Sequence, residues 1–363
     1  MQTTPSFQDG DLADVFDAAG EKLGIATLAK GRSILGHMLA FGSETVLDAL
    51  RQRIQEACSL RRSWFHRSHT NAFRLINAEG DGIPGLIVDA YDQILVMQVS
   101  NPGIEKLKET IAQLLIDEWK PKSLFEKSTS FMRRKEGLDE VRAHLYGEPV
   151  SEVTVLENGL QFAVDVLDGQ KTGLFLDQRE MRALIRNISH GKKVLNCFAY
   201  TGGFSVAALA GGAVHVDSVE MSAKCGPRME KNLALNGLSN HTWVCDDVFD
   251  YLKRCDWSHD IVILDPPAFV KRREDVPRAF RAYKDLNRYC LERMKPNSLL
   301  LTCSCSYHVD ESLFQNILFR AASEAKRSVR ILEKHRQAHD HPISIFHPES
   351  SYLKSFLLSI SFT

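Results

Sequence analysis

The sequence lacks a long apolar stretch, a secretory leader and a disulfide framework, and each absence excludes a class of protein. No run approaches the roughly 18 consecutive apolar residues that a membrane-spanning helix needs, so a membrane protein is excluded. The first five residues lack the basic and apolar regions of a leader peptide. The eight cysteines include no C-x-x-C pair. We therefore expect a cytoplasmic protein with free thiols.

The chain also has little net charge. Its 45 lysines and arginines almost cancel its 46 aspartates and glutamates, leaving a formal charge of -1. This balance excludes a general polyanion binder but does not show where the charges lie. Basic residues are concentrated in segments 51–74, 120–135 and 271–288. Although a charged run is more often a solvated face, three such runs favour a localised nucleic-acid surface.

With 363 residues, the chain exceeds what one hydrophobic core usually organises. Changes of pattern divide it into three predicted domains. Residues 1–66 form a small β module with a linker helix, and residues 67–158 form an α+β domain. In residues 159–363, short β-rich runs alternate with helix-length segments, which predicts an α/β domain with a parallel sheet covered on both faces. The predicted strands are 194–197, 215–220, 242–245, 261–264 and 299–302.

Ligands in such sheets bind beyond the carboxyl ends of the strands. The first strand leads into a turn that contains Gly202 and Gly203, where the backbone can approach a ligand closely. Glu220 ends the second strand, close to the spacing at which a carboxylate binds a ribose. Asp247 follows the third strand and could accept from an adenine amino group. Each feature also has a purely structural alternative. The glycine-containing segment could be only a tight turn, Glu220 could be a solvated side chain, and Asp247 could be a helix N-cap.

The fourth and fifth strands end in residues that could take part directly in a reaction. Asp265-Pro266-Pro267 closes the fourth strand, and the two prolines fix an extended backbone. Alternatively, the Asp265-Pro266-Pro267 segment is only a rigid loop. Cys303 and Cys305 end the fifth strand, where a nucleophilic thiol is expected. Strand alternation places both on one side, so spacing alone does not choose between them.

Several motifs together resemble those of the RlmI-type S-adenosylmethionine-dependent ribosomal RNA cytosine-C5 methyltransferases. This resemblance implies a PUA-like β-barrel, an α+β middle domain and a class I (Rossmann-like) seven-stranded methyltransferase sheet whose last hairpin is reversed. The implied cofactor is S-adenosylmethionine, and the implied partner is large-subunit ribosomal RNA. A homodimer is left open. The motifs lie at residues 74–85, 169–179, 196–205, 265–269, 283–287 and 302–306.

The same resemblance implies a role for each residue at the strand ends. Glu220 would bind the ribose of the cofactor and Asp247 its adenine. Cys305 would be the nucleophile, whereas Cys303 need not be cysteine in the family. Asp265 would hydrogen-bond the cytosine.

The rest of the implied cofactor site comes from two further segments and a proline. Phe175, Gln178 and Arg179 would close over the cofactor or arrange the substrate, and Asp265 and Pro266 complete the cofactor site. The segment that holds the methionine part comprises Asn196, Phe198, Ala199, Tyr200, Thr201, Gly202, Gly203 and Phe204.

A cytosine C5 methyltransferase needs a thiolate that adds at C6 and makes C5 nucleophilic. Lys171, Lys271 and Arg272 are candidates to favour ionisation of this thiol. No metal site is predicted, because the histidine-rich segment 335–342 has no paired cysteine and the proposed chemistry requires no metal. The predicted RNA contacts are Lys271, Arg272, Arg273, Arg61 and Arg62.

The chain departs from the family pattern at two points. Some RNA cytosine-C5 methyltransferases place another cysteine directly after the proline of the fourth-strand motif, whereas here Asp265-Pro266-Pro267 is followed by Ala268. The base that releases the C5 proton is therefore unassigned. The N-terminal module also starts too late for the family's additional strand, so an incomplete barrel is expected. Two other functions stay open: guanine-N7 methylation of ribosomal RNA, and RNA binding without catalysis.

Overall fold

The computed structural model describes residues 6–30, 34–270 and 272–361. Its backbone packing divides the chain into two compact units. The first comprises Met1–Gly159, Val164–Leu176 and His339–Ser350, and the second comprises Leu160–Ala163, Asp177–Ala338 and Ser351–Thr363. The three-domain division stays a prediction. Within the described ranges, no helix is both long and apolar enough to cross a membrane.

The first unit begins with a three-stranded antiparallel sheet, in agreement with the predicted small β module. A tight turn joins its first two strands, and the Asp17 carboxylate stabilises this turn by accepting from the backbone N–H groups of Ala19 and Glu21. At Gly24, φ is 150° and an added Cβ would lie 2.0 Å from the Ala40 carbonyl oxygen, so the close strand pairing requires glycine there. The strands are β1 (Leu12–Phe16), β2 (Lys22–Leu28) and β3 (Gly36–Phe41).

The predicted linker helix is present as α1 (Val46–Trp64). Thr45 caps its start, because the Thr45 hydroxyl accepts from the Asp48 backbone N–H at 3.1 Å. The helix buries Leu50 and Ile54 in the core of the first unit. Val46 and Ala57 of the same helix are also buried, whereas Leu47 and Leu60 are exposed.

The α+β part of the first unit is a five-stranded mixed sheet of order β4-β5-β6-β7-β8. Only β6 and β7 pair in parallel, and the helix α2 connects them. The strand β8 was not predicted, although Val141, Ala143 and Leu145 alternate with polar residues, and most of its residues are exposed. The elements are β4 (Ala72–Asn77), β5 (Leu86–Tyr91), β6 (Ile94–Val99), α2 (Pro102–Trp119), β7 (Ser123–Ser128), α3 (Phe131–Lys135) and β8 (Val141–Gly147). A separate two-stranded sheet is formed by β9 (Glu152–Glu157) and β10 (Leu160–Asp165).

The second unit contains the predicted α/β sheet, with seven strands in the order β13-β12-β11-β14-β15-β17-β16. The first five strands are parallel, and β17 runs antiparallel to both of its neighbours. This order confirms the expected reversed last hairpin. The strands are β11 (Lys193–Cys197), β12 (His215–Glu220), β13 (His241–Cys245), β14 (Ile261–Leu264), β15 (Leu299–Ser304), β16 (Ser328–His335) and β17 (Lys354–Ser361).

In the second unit each parallel strand is followed by a helix, as the alternating pattern predicted, and α4 precedes the first of these strands. Its central core joins β14 and β15 to the two longest of these helices, with Leu264, Leu300, Leu286 and Phe314 all buried. The parallel strands thus reach the same edge of a rigid sheet. The helices are α4 (Arg179–Ile188), α5 (Gly203–Ala210), α6 (Cys225–Leu235), α7 (Val248–Arg254), α8 (Val276–Arg293) and α9 (Glu311–Glu324).

Candidate active site

The strand register brings the predicted site residues of the second unit to one edge of its sheet. In the parallel ladders, Cys197 pairs with both Val219 and Leu264, and Leu264 pairs with Thr302. The residues that follow these positions therefore emerge side by side. They are the turn at 198–204, Glu220, Asp265 and the two cysteines, 303 and 305.

The turn after β11 has an unusual backbone. Phe198 and Tyr200 have positive φ values of 59° and 48°, a conformation that non-glycine residues rarely adopt. Gly202 has φ of 81°, and an added Cβ would lie 2.5 Å from Cγ of Met229. Strain of this kind persists mainly where function requires it.

The rest of the turn is fixed by its neighbours in the sheet. The Ala199 backbone N–H donates to the Val219 carbonyl oxygen at 3.0 Å. Thr201 is buried, and Gly203 and Phe204 begin the helix α5. The turn thus connects a buried strand directly to a helix start, where unpaired backbone N–H groups are available to a ligand.

Glu220 supports this turn from the end of β12. Its Oε2 atom accepts from the Tyr200 backbone N–H at 3.0 Å, and Oε1 accepts from the Ser222 N–H at 2.9 Å. Each carboxylate oxygen has a further lone pair. The carboxylate therefore orders the loop that would hold the rest of the cofactor, while its ribose contact stays a prediction.

Asn196 contributes a buried acceptor next to the turn. Its Nδ2 group donates to Ser205 Oγ at 2.8 Å, while its Oδ1 atom is buried with no hydrogen-bond partner among the described residues. Buried polar atoms are normally paired, so an orphaned acceptor beside this turn fits a donor supplied by a ligand. The α-ammonium group of S-adenosylmethionine is a donor of the required type.

Asp247 caps the helix α7, as its alternative interpretation predicted. Its Oδ1 atom accepts from the backbone N–H groups of Phe249 and Asp250 at 2.8 and 3.2 Å. Capping fixes the carboxylate at the end of β13 and uses one of its two oxygens. The adenine contact of Asp247 stays a prediction.

Asp265 is linked to the segment upstream of the sheet. Gln178 Nε2 donates to Asp265 Oδ1 at 3.0 Å, and both Gln178 and the adjacent Arg179 are buried. Pro266 follows Asp265 without helical structure, as the two prolines predicted. Sequence spacing did not predict the bond between Gln178 and Asp265, because it joins segments that are distant along the chain.

The two cysteines occupy different environments, because β15 ends at Ser304. Cys303 is fully buried, and burial raises the pKa of its thiol well above the usual range, with the Asp265 charge acting in the same direction. Cys305 lies beyond the strand and is partly exposed, with its Sγ atom 3.8 Å from the Pro266 carbonyl oxygen. The strand alternation that would place Cys303 and Cys305 on the same side therefore ends before Cys305. Accessibility favours Cys305 as the nucleophile.

The turn that carries Cys305 is anchored by α8. The Tyr283 hydroxyl lies 2.9 Å from Ser306 Oγ, and burial raises the pKa of Tyr283 to about 12. Tyr283 thus acts as a neutral hydrogen-bonding group that fixes the residue following Cys305. This contact explains the structural part played by the motif at 283–287.

The predicted RNA-binding arginines of α1 divide into a buried and an exposed residue. Arg61 is 1% exposed, and its guanidinium is paired with Asp81 at 2.6 Å and bonded to the carbonyl oxygens of Arg74 and Asp340. We therefore correct the prediction for Arg61, because a guanidinium committed in this way is not accessible to phosphate. Arg62 is exposed and pairs with Glu118 at 2.6 Å.

The remaining basic residues were predicted to bind RNA or to favour ionisation of the thiol. Arg272 is exposed and lies 3.4 Å from Glu274, and Arg273 is also exposed. Lys271 lies outside the described residues. Lys171 belongs to the first unit, as does Phe175, and the Lys171 ammonium lies 4.4 Å from the centre of the Phe175 ring. The roles predicted for Lys171 and Phe175 at the cofactor or the thiol stay predictions.

The order of the seven strands and the polar residues at their carboxyl ends are those of a methyltransferase domain. A family model described as S-adenosylmethionine-dependent methyltransferase matches residues 92–352. The chain belongs to this family. The predicted cofactor, S-adenosylmethionine, is thereby confirmed at the level of the family, and the residues of the β11 turn fit it. Among the described residues, no group of three or more His, Cys, Asp or Glu side chains could hold a metal ion.

Individual relatives narrow this class and confirm the resemblance predicted from the motifs. The chain is 38% identical over 359 residues to ribosomal RNA large subunit methyltransferase I of Alteromonas mediterranea, covering 97% of this chain and 90% of that protein. It is 37% identical to the protein of the same name from Shewanella denitrificans, covering 97% and 91%.

Solved structures confirm the predicted class I methyltransferase fold. A structure from Streptococcus mutans, described as a SAM-dependent methyltransferase, superposes with a TM-score of 0.85 at 29% identity, covering 98% of this chain and 92% of that chain. A methyltransferase structure in complex with SAH has a TM-score of 0.85 at 28% identity, covering 97% and 92%.

Proposed function

We propose that the protein transfers a methyl group from S-adenosylmethionine to C5 of a cytosine in large-subunit ribosomal RNA, with Cys305 as the nucleophile. The names of the relatives support the RNA class. The position of the Cys305 thiol supports the reaction, because it lies beside the Pro266 carbonyl at the carboxyl edge of the sheet. Guanine-N7 methylation would need no thiol at this position.

The cofactor supplies an electrophilic methyl group when bound. The Cys305 thiolate adds to C6 of the cytosine, so that the bond between Sγ and C6 forms and electron density moves to C5. C5 takes the methyl group, a base then removes the C5 proton, and the bond between Sγ and C6 breaks to release the thiolate. The identity of that base is not assigned.

Asp265 has the position to bind the cytosine edge. Its carboxylate follows β14 directly and is oriented by the Gln178 amide at 3.0 Å. A carboxylate held in this way can accept from the cytosine N4 amino group, and a proton shared between the carboxyl group and N3 would neutralise the negative charge that addition at C6 places on N3. Gln178 contacts Oδ1 and thereby orients the carboxylate, so it acts as a positioning residue.

The RNA would be held by exposed positive charge near this edge of the sheet. Arg272 and Arg273 lie on the segment that follows Asp265-Pro266-Pro267, and both are exposed. Lys271, in the same segment, is included on sequence alone. Arg62 in the first unit is a further candidate. The three-domain division, with an RNA-binding role for the first module, and a homodimeric state are also proposals.

The proposed reaction is tested with ribosomal RNA from a strain that lacks the gene for this protein. Purified protein and labelled S-adenosylmethionine should produce 5-methylcytosine, detected by nucleoside mass spectrometry. Cys305→Ala should abolish it, whereas Cys303→Ala is the matched control because its thiol is buried. Undiminished methylation by Cys305→Ala, or 7-methylguanosine as the product, would refute the proposal.

A further inference from the structure

Lys354 is a buried cation at the catalytic end of the sheet. It is the first residue of β17 and is 6% exposed. In the antiparallel pairing of β15 with β17, Lys354 lies opposite Ser304, the residue before Cys305. The reversed final hairpin therefore delivers a positive charge next to the proposed nucleophile.

The ammonium group holds the turn that carries Cys305. Lys354 Nζ donates to the carbonyl oxygen of Ser306 at 2.7 Å and to that of Tyr352 at 2.7 Å. Lysine has three donors, and the described residues use two of them. The residues on either side of Cys305 are thus both held by Lys354, Ser304 through strand pairing and Ser306 through the ammonium group.

The electrostatic environment couples the two groups. Burial lowers the pKa of Lys354 to about 8, while the charges of Cys305 and Asp310 act to raise it. Asp310 caps α9 by accepting from the Leu313 N–H at 2.7 Å. A buried ammonium is costly unless a negative charge compensates it. The Cys305 thiolate provides such a charge.

Two other titratable groups face the same turn from neighbouring elements. Tyr283 of α8 stays neutral at physiological pH, because burial raises its pKa to about 12. The Asp265 carboxylate at the end of β14 acts in the opposite direction, since it raises the pKa of the neighbouring Cys303 thiol. A cation on this side of the sheet would offset that effect at Cys305.

We propose that Lys354 is a positioning residue that holds the Cys305 turn through the Ser306 carbonyl and stabilises the Cys305 thiolate as its counter-ion. The thiol proton passes to water when the pair forms. This inference rests on the proposed function for the role of Cys305, but the ion pair itself requires no RNA. Among the candidates predicted from sequence, Arg272 is exposed beside Glu274, whereas Lys354 is buried.

The first test measures the reactivity of Cys305 without substrate. The rate of iodoacetamide alkylation at Cys305 is followed by peptide mass spectrometry as a function of pH. In Lys354→Met, the pH at the midpoint of the Cys305 alkylation curve should rise by about one unit or more, because the thiolate has no counter-charge. Alkylation at neutral pH should slow by about tenfold. Lys354→Arg should keep the midpoint low.

A matched control is offered by Lys127. This lysine is also buried and also donates to two carbonyl oxygens, those of Val166 and Gly169, but it lies in the first unit. Lys127→Met should leave the Cys305 midpoint unchanged. A Lys354→Met profile that coincides with that of the unmodified protein would overturn the proposal, because a purely structural lysine would not shift the thiol pKa.

A reciprocal measurement covers the case in which Lys354→Met fails to fold. The Lys354 ammonium is titrated by NMR in protein labelled with ¹³C-lysine. In Cys305→Ala the pKa of Lys354 should fall, since coupling between two sites is mutual. An unchanged lysine titration would overturn the ion pair. Because neither measurement uses RNA, their outcome is separate from that of the methylation assay.

Discussion

Two buried polar sites, one in each compact unit, differ in how their hydrogen-bonding groups are satisfied. In the first unit, Arg61 and Arg74 are buried in ion pairs with Asp81 and Asp89, at 2.6 and 2.8 Å. In the second unit, Asn196 keeps a buried acceptor without a partner among the described residues. Paired charges satisfy one another within the fold, whereas an unsatisfied acceptor at a strand end indicates a ligand. The comparison explains why the more strongly charged cluster is not the active site.

The largest effect that this comparison predicts is on catalysis. Asp265→Asn should lower the methylation rate by about 10²- to 10³-fold, because an amide cannot supply a proton to N3 of the cytosine during addition. Steady-state kinetics with ribosomal RNA would measure the decrease, and cofactor binding by calorimetry would show whether the site is otherwise intact. A rate within a fewfold of normal would remove Asp265 from the mechanism.

The second prediction concerns the paired charges of the first unit. Arg61→Met should destabilise the protein by about 3 to 5 kcal/mol, because it leaves Asp81 buried without its partner. Chemical denaturation would measure this decrease in stability. Arg62→Met is the matched control, since Arg62 forms a partly exposed pair and should cost about 1 kcal/mol or less. Equal costs for the two variants would contradict the assignment of Arg61 to the interior.

The third prediction tests the unsatisfied acceptor. Asn196→Asp retains an acceptor and should bind S-adenosylmethionine, whereas Asn196→Leu should weaken binding by about 10-fold or more, since a charged group of the ligand is left without its hydrogen bond. Isothermal titration calorimetry would compare the two. Equal affinities for both variants would show that the Oδ1 atom of Asn196 does not face the cofactor.

The smallest effects are expected on RNA binding when exposed basic residues are neutralised. Neutralising Lys271, Arg272 and Arg273 together should weaken RNA binding and lower the slope of log affinity against log salt by about one for each phosphate that is no longer neutralised. Filter binding over a salt series would measure both quantities. An unchanged slope would remove this segment from the RNA surface and leave the proposed chemistry at Cys305 as it is.

The sequence predicted most of the second unit's sheet but only part of its site. The predicted strands 215–220 and 261–264 agree with β12 and β14, because both are bounded by clear polar or proline signals. The exposed strand β8 was missed although Glu148 and Pro149 follow it directly, because its apolar run is short and rich in polar residues. Charge counting misplaced Arg61, since it does not register burial. Lys354 was missed because only the antiparallel insertion of β17 brings it to Cys305.

The most direct test of the central claim is covalent trapping of Cys305 on RNA. Large-subunit RNA in which cytidine is replaced by 5-fluorocytidine has no C5 proton to remove, so the thioether bond to C6 should persist after methyl transfer. Peptide mass spectrometry should then locate the nucleotide on Cys305. A covalent complex on another cysteine, or no complex while unsubstituted RNA is methylated normally, would contradict the account.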